Sequence, residues 1–149
     1  MAPTSVLVRD ALPADADALA RMFGQFGYPG SPASFEKRVS KLLSDPRLCL
    51  LVAQDAGEVV GVGMLRTVDI LEGDEPLGVL LTLFVDERSR RSGIGATLAD
   101  ALERHAREQG CFGIVVQSGS KRIAGHALYR KLGYVQTGER FIRIFDRNA

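Results

Sequence analysis

The sequence predicts one α/β (α+β) domain: a single mixed central sheet of about seven strands flanked by about four helices. Three observations predict it. Apolar, β-branched runs of strand length recur along the chain, as in Leu48–Gln54, Val59–Val68 and Val79–Val85. Other stretches repeat apolar residues at helical spacing. Glycine and proline mark most of the joints between the two kinds. Together they read as β-α-α-β-β-β-α-β-α-β-β.

Ser5 to Arg9 reads as a first strand. Pro13 to Phe26 reads as a helix, with Ala16, Leu19, Phe23 and Phe26 on one face. Gly27-Tyr28-Pro29-Gly30-Ser31-Pro32 reads as a loop. Phe35, Val39, Leu42 and Leu43 mark a second helix, with Ser34 as its N-cap and a stop near Asp45-Pro46. Asp55-Ala56-Gly57-Glu58 separates two strands and predicts a hairpin. Gly61 and Gly63 in the second of these imply a bulge or a close backbone approach. Asp69 to Pro76 is a polar turn before the strand Val79–Val85. Ile94, Leu98, Ala101, Leu102 and Ala106 line one face of a third helix that Gly110 ends. Gly113–Gln117 is a strand, Ile123–Leu132 a helix ended by Gly133, and Tyr134–Gln136 with Phe141–Phe145 a closing strand pair.

Composition narrows the class. At 149 residues with 46% hydrophobic and 25% charged content, the chain has material for a real core. The formal charge is +1 with basic residues spread along the chain, which argues against an electrostatic nucleic-acid binder. No apolar run reaches membrane-spanning length, so no membrane role is expected. Cys49 and Cys111 lack metal-ligand spacing and read as buried structural thiols, with no metal expected. No signal pattern opens the chain and no disulfide framework is visible, which points to the cytoplasm.

The run Arg90-Arg91-Ser92-Gly93-Ile94-Gly95 lies between a strand and a helix. That order builds an anion site: the turn aims backbone N–H groups inward, and the helix end adds unsatisfied donors and partial positive charge. Gly93 and Gly95 let a ligand approach the backbone. No Gly-Lys-Ser/Thr follows, which excludes a P-loop, and the third glycine of a dinucleotide fingerprint is missing. The ligand suggested is a pyrophosphate.

The segment Leu83 to Gly95 resembles the acyl-CoA-binding motif of the GCN5-related N-acetyltransferases. Ala127-Leu128-Tyr129-Arg130-Lys131-Leu132-Gly133-Tyr134 is similar to that family's later helix motif. The element order resembles the family fold along nearly the whole chain, which implies a single domain over residues 1–149. The resemblance implies acetyl-CoA as cosubstrate. Its pyrophosphate would lie on the backbone of Arg91, Ser92, Gly93, Ile94, Gly95 and Ala96, with Arg90 bracing the turn. The backbone of the Leu83-Phe84-Val85 segment, through Leu83 and Val85, would hold the pantetheine arm and polarise the thioester carbonyl. The strand Gly113–Gln117 would splay from Val79–Val85 to admit the cofactor.

Acetyl transfer needs a neutral amine, a polarised carbonyl and a proton for the departing thiolate. Tyr129 is the candidate acid, because a phenol is protonated at neutral pH. The alternative is a tyrosine that only packs. His126 lies three residues earlier on the same helix face and suits proton traffic, with a capping or core histidine as the alternative. Ser118-Gly119, Arg122, His126 and Tyr129 resemble a sub-pattern of some small-amine acetyltransferases in the family, although asparagine is common where Arg122 stands. Thr82 cannot be a base, and Glu87 reads as solvated. Tyr28 is a candidate for the acceptor pocket or a loop anchor. Asp69, Glu72, Asp74 and Glu75 form either an amine-attracting cluster or a solvated turn. The leading expectation is an enzyme acetylating a small-molecule amine. The alternatives are a protein or peptide N-acetyltransferase and a non-catalytic CoA-binding sensor. A homodimer is a further expectation, with Phe141, Ile142, Ile144 and Phe145 as core or interface.

Overall fold

Strands β1 (Val6–Asp10), β2 (Leu48–Asp55), β3 (Glu58–Val68), β4 (Leu77–Val85) and β5 (Ile114–Val116) form one sheet in that order. The first four are antiparallel neighbours, and β5 joins β4 in parallel. The structure is a computed structural model that describes residues 6–90, 92–117 and 123–145, without the side chains of 123–125. It falls into two compact units. The first ends at Val116 and contains the sheet with α1 (Ala16–Gln25), α2 (Pro32–Leu43) and α3 (Ile94–Glu108). The second begins at Gln117 and contains α4 (Ile123–Lys131). Among the described residues no helix is long and apolar enough to cross a membrane.

Side-chain alternation along β3 sorts the helices onto two faces. Val62 joins Met22, Leu19, Phe35, Val39 and Phe84 in one core cluster, so α1 and α2 cover that face. Gly61 and Gly63 point the other way, to α3. A Cβ on Gly61 would lie 2.9 Å from Leu98 and 3.1 Å from Ile94, and one on Gly63 would lie 2.7 Å from Leu102. The two glycines are therefore the groove into which α3 settles. A bulge adjoins them as well: Ala53 faces Gly61 while Gln54 faces Val59, leaving Val60 as the extra residue.

The helix starts differ from expectation for identifiable reasons. Residues Pro13–Asp15 form a 3₁₀ turn rather than the first turn of α1. Asp15 ties it down: its carboxylate accepts from the Leu12 N–H at 2.8 Å and from Arg9 of β1 at 2.8 and 2.9 Å. The N-cap of α2 is Ser31 and not Ser34. Pro32 has a fixed φ and no N–H to satisfy, so it suits the first helical position and starts the helix early. Ser34 instead donates its backbone N–H to Ser31 Oγ at 3.1 Å.

Among the described residues the sheet has five strands, because Tyr134–Gln136 and Phe141–Phe145 do not form the expected pair. Val135, Phe141, Ile142, Ile144 and Phe145 are exposed, with Phe141 at 88%. A strand pair needs an apolar face buried on a third element, and a lone hairpin is marginal in water. Cys49 is buried as expected, and burial pushes its thiol up to about 11, aided by Asp10 and Glu108. Cys111 is only half-buried, because its segment leaves α3 at the surface.

Two stability measurements test this reading. In Gly63→Val the new side chain meets Leu102, so denaturant unfolding should show a loss of about 1–3 kcal/mol. Gly73→Ala, where a Cβ meets nothing within 4 Å, should stay within about 0.5 kcal/mol. Equal behaviour of the two would refute the close approach of α3. The β2–β3 turn has positive φ at both central residues, 49° at Ala56 and 86° at Gly57. Asparagine tolerates that conformation better than alanine, so Ala56→Asn should stabilise by about 0.5–1 kcal/mol. A lower midpoint would contradict the turn geometry.

Candidate active site

The site begins with a defect in β4. Met64 faces Thr82, yet Leu65 faces Leu80, so Leu81 is an extra residue in β4. The parallel partner β5 pairs only with Gly78, Val79 and Leu80. Among the described residues, β4 therefore keeps a strand on only one edge from Leu81 onward. Asp86 extends the ladder by donating its N–H to Val60 O at 2.8 Å. Hydrogen-bonded pairs alternate in an antiparallel ladder, so Phe84 and Thr82 share the phase of Asp86. The backbone groups of Leu83 and Val85 then point to the opposite edge, beyond the reach of β5.

The side chains of this segment divide between the two faces. Leu83 lies on the α3 side, close to Gly63. Phe84 lies on the α1 side within a group of rings. Its centroid is 4.4 Å from Phe26, 4.9 Å from Phe23 and 6.3 Å from Tyr28. Tyr28, on the loop between α1 and α2, is 57% exposed. The Arg90 guanidinium stands 5.1 Å from the Phe26 ring centroid, a cation–π contact that fixes this arginine against the end of α1.

The turn between β4 and α3 is hydrogen-bonded at both ends. Asp86 is enclosed, with 0% exposure, and begins a 3₁₀ turn over Glu87–Ser89. Its carboxylate accepts from the Arg88 N–H at 3.0 Å, and its carbonyl accepts from the Ser89 N–H at 2.9 Å. The Ser89 carbonyl accepts in turn from Ser92 Oγ. Burial pushes the Asp86 carboxyl up. The Arg88 N–H and guanidinium, with the Gln25 side chain, outweigh that and hold it below its usual range. Gly93 has φ 84° and caps α3 without a side chain. The ladder of α3 starts with the Thr97 N–H on the Gly93 carbonyl at 3.0 Å. The N–H groups of Ile94, Gly95 and Ala96 precede that bond and project from the helix end. Arg91 lies outside the described residues.

This donor set fits a diphosphate joined to an extended, amide-bearing arm. The helix end and left-handed glycine suit the anion, and the bare edge of β4 suits the amides. Leu81 and Asp86 both escaped the reading of the sequence. A bulge leaves no mark in a uniformly apolar run, and one aspartate at a strand end looks like a surface residue.

In the second unit, His126 and Tyr129 stand one turn apart on α4, both half-buried. Gly133 has φ 94° and lets the Tyr134 N–H reach back to the Tyr129 carbonyl at 2.9 Å, a helix-terminating bond. The rings of Tyr129 and Tyr134 meet edge to face at 5.8 Å. Ser118, Gly119 and Arg122 lie outside the described residues. Of the remaining candidates, Glu87 is exposed and gives its N–H to Gln25 at 3.3 Å, and Thr82 is half-buried in β4. The acidic residues 69–75 lie exposed, and Asp69 is taken by Arg47 at 2.9 and 3.1 Å. Among the described residues no cluster of three or more His, Cys, Asp or Glu is placed to hold a metal.

Comparison with known proteins gives this geometry a context. A human protein named N-acetyltransferase 8 is 34% identical over 106 residues, which is 70% of this chain and 46% of that protein. The chain thus spans about half the length of the curated relatives it matches. A transcriptional regulator from Bacillus halodurans C-125 superposes with a TM-score of 0.85 at 22% identity, covering 94% of this chain and 99% of that one. An aminoglycoside N-acetyltransferase crystallised with CoA superposes at 0.79 and 19% identity, covering 95% of each chain. The sequence pattern of the Acetyltransferase (GNAT) family matches residues 16–134, and this chain belongs to that family.

Proposed function

We propose that the protein transfers an acetyl group from acetyl-CoA to a primary amine of a small molecule. The observation that carries this reading is that, among the described residues, β4 pairs with β5 no further than Leu80, shortly before a strand–turn–helix with a left-handed Gly93. The family match supports acetyl transfer, and the aminoglycoside enzyme among the structural neighbours gives one precedent for a small acceptor. The family pattern also runs from 16 to 134, through both units, which favours their working as one domain.

In this reading acetyl-CoA supplies an activated acyl group as its thioester. The backbone of Leu83 and Val85 holds the pantetheine amides as an added strand would, and one of their N–H groups polarises the carbonyl. The N–H groups from Arg91 to Ala96 hold the pyrophosphate, while Arg90, anchored on Phe26, braces the turn. The amine attacks only when neutral, because an ammonium has no lone pair. His126 takes up the proton that the amine releases. Tyr129 gives its phenolic proton to the departing sulfur, so that the C–N bond forms as the C–S bond breaks.

The test is Tyr129→Phe, which removes one oxygen and keeps the ring against Tyr134. With an amine found by screening for release of the free CoA thiol, turnover should fall about a hundredfold. Acetyl-CoA affinity by calorimetry should stay within about twofold. Unchanged turnover would remove Tyr129 from the acid role.

A further inference from the structure

Asp86 is the one carboxylate of the β4–α3 region that is fully enclosed, and the chemistry proposed above does not use it. Its surroundings describe a joint. Its backbone N–H is bound to Val60 of β3, and its carbonyl to Ser89 of the 3₁₀ turn. Its carboxylate meets the Arg88 N–H at 3.0 Å, the Arg88 guanidinium at 3.4 Å and Arg21 of α1 at 3.5 Å. The neighbouring Glu87 N–H is bound to Gln25 of α1. One residue thus ties together β3, α1 and the turn. Ser89, the partner of its carbonyl, then receives Ser92 at the threshold of Gly93.

From this joint we infer that Asp86 is a positioning residue: its carboxylate sets the path of the turn, and so the direction of the N–H groups that follow Ser92. The inference rests on the acetyl-CoA reading given above. It makes a prediction of unusual sign. The site proposed for the pyrophosphate lies a few residues beyond a buried negative charge. By Coulomb's law alone, neutralising Asp86 leaves Arg21 and Arg88 uncompensated and should tighten an anion's binding. If the carboxylate instead holds the turn in shape, neutralising it frees Arg88 and the 3₁₀ turn, and binding weakens. The two effects have opposite signs, and positioning has to win for the inference to hold. Arg21 and Arg88 are 48% and 67% exposed, so solvent screens their freed charges, whereas the enclosed carboxylate loses the charge-assisted hydrogen bonds that hold the turn, which is why positioning should win.

The experiment is calorimetric titration of the full chain with acetyl-CoA, well below the unfolding midpoint of each variant. Asp86→Asn keeps the volume and an acceptor for the Arg88 N–H but removes the charge. It should weaken binding about tenfold. Arg21→Met, in a half-exposed side chain on α1, should weaken it about threefold. The double variant should be no weaker than Asp86→Asn alone, because both act through one joint. Should Asp86→Asn fail to fold, Arg21→Met carries the test by itself, and an unchanged affinity there overturns the inference. A folded Asp86→Asn that binds as tightly as the parent, or more tightly, also overturns it and leaves the acetyl-CoA reading standing. Failure of the parent protein to bind acetyl-CoA brings down both.

Discussion

The unequal pairing of β4 governs the rest of the structure. Among the described residues, it follows β3 from Leu77 to Val85 on one edge and pairs with β5 only at Gly78, Val79 and Leu80 on the other. Backbone polar groups in a folded protein need partners, and a strand edge left bare within a sheet is a liability unless something uses it. The extra residue Leu81 makes the change of geometry at the point where β5 stops. Leu83 and Val85 turn their amides to the bare edge. Asp86 ends the ladder, and the chain crosses to the N-terminus of α3.

Placement of α3 is what makes this edge a candidate site. The helix can start so close to the strand only because Gly61 and Gly63 leave room for Ile94, Leu98 and Leu102. Its first-turn donors receive no side-chain cap, since Gly93 in the left-handed conformation offers none. On the opposite face, Phe84 fixes the same strand to α1 through the rings of Phe23 and Phe26. Contacts of this kind contribute about 0.5–1.5 kcal/mol each beyond burial. Helix α1 then reaches the turn three times, through Arg21, Gln25 and the Phe26 ring beneath Arg90. The core and the turn are therefore one mechanical object.

Much of this was legible in the sequence, because its signals are local. Glycine at a strand–helix joint declares a tight turn, and apolar spacing over Ile94–Ala106 declares one buried helix face. The glycine pair in β3 likewise declares a close approach. What was not legible depends on relations between segments. Val79–Val85 is apolar throughout, so nothing in it marks Leu81 as the extra residue. Pro32 reads as a loop proline, but with Ser31 before it, it starts a helix. Phe141–Phe145 has the pattern of a strand, yet pattern supplies no partner, and the segment lies exposed without one among the described residues. Asp86 gains its importance only from groups contributed by α1 and the turn. Tyr28 with Phe23 and Phe84 defines an aromatic surface beside β4.

In the proposed function, backbone amides at the end of β4 and the start of α3 hold the acyl donor. Amide-resolved NMR of the labelled protein, with and without acetyl-CoA, reads those groups one by one. Shifted resonances and slowed hydrogen exchange are expected at Leu83, Val85 and Ser92–Ala96, with β1 and β2 unaffected. Binding that leaves these amides unchanged and perturbs another part of the chain would contradict it.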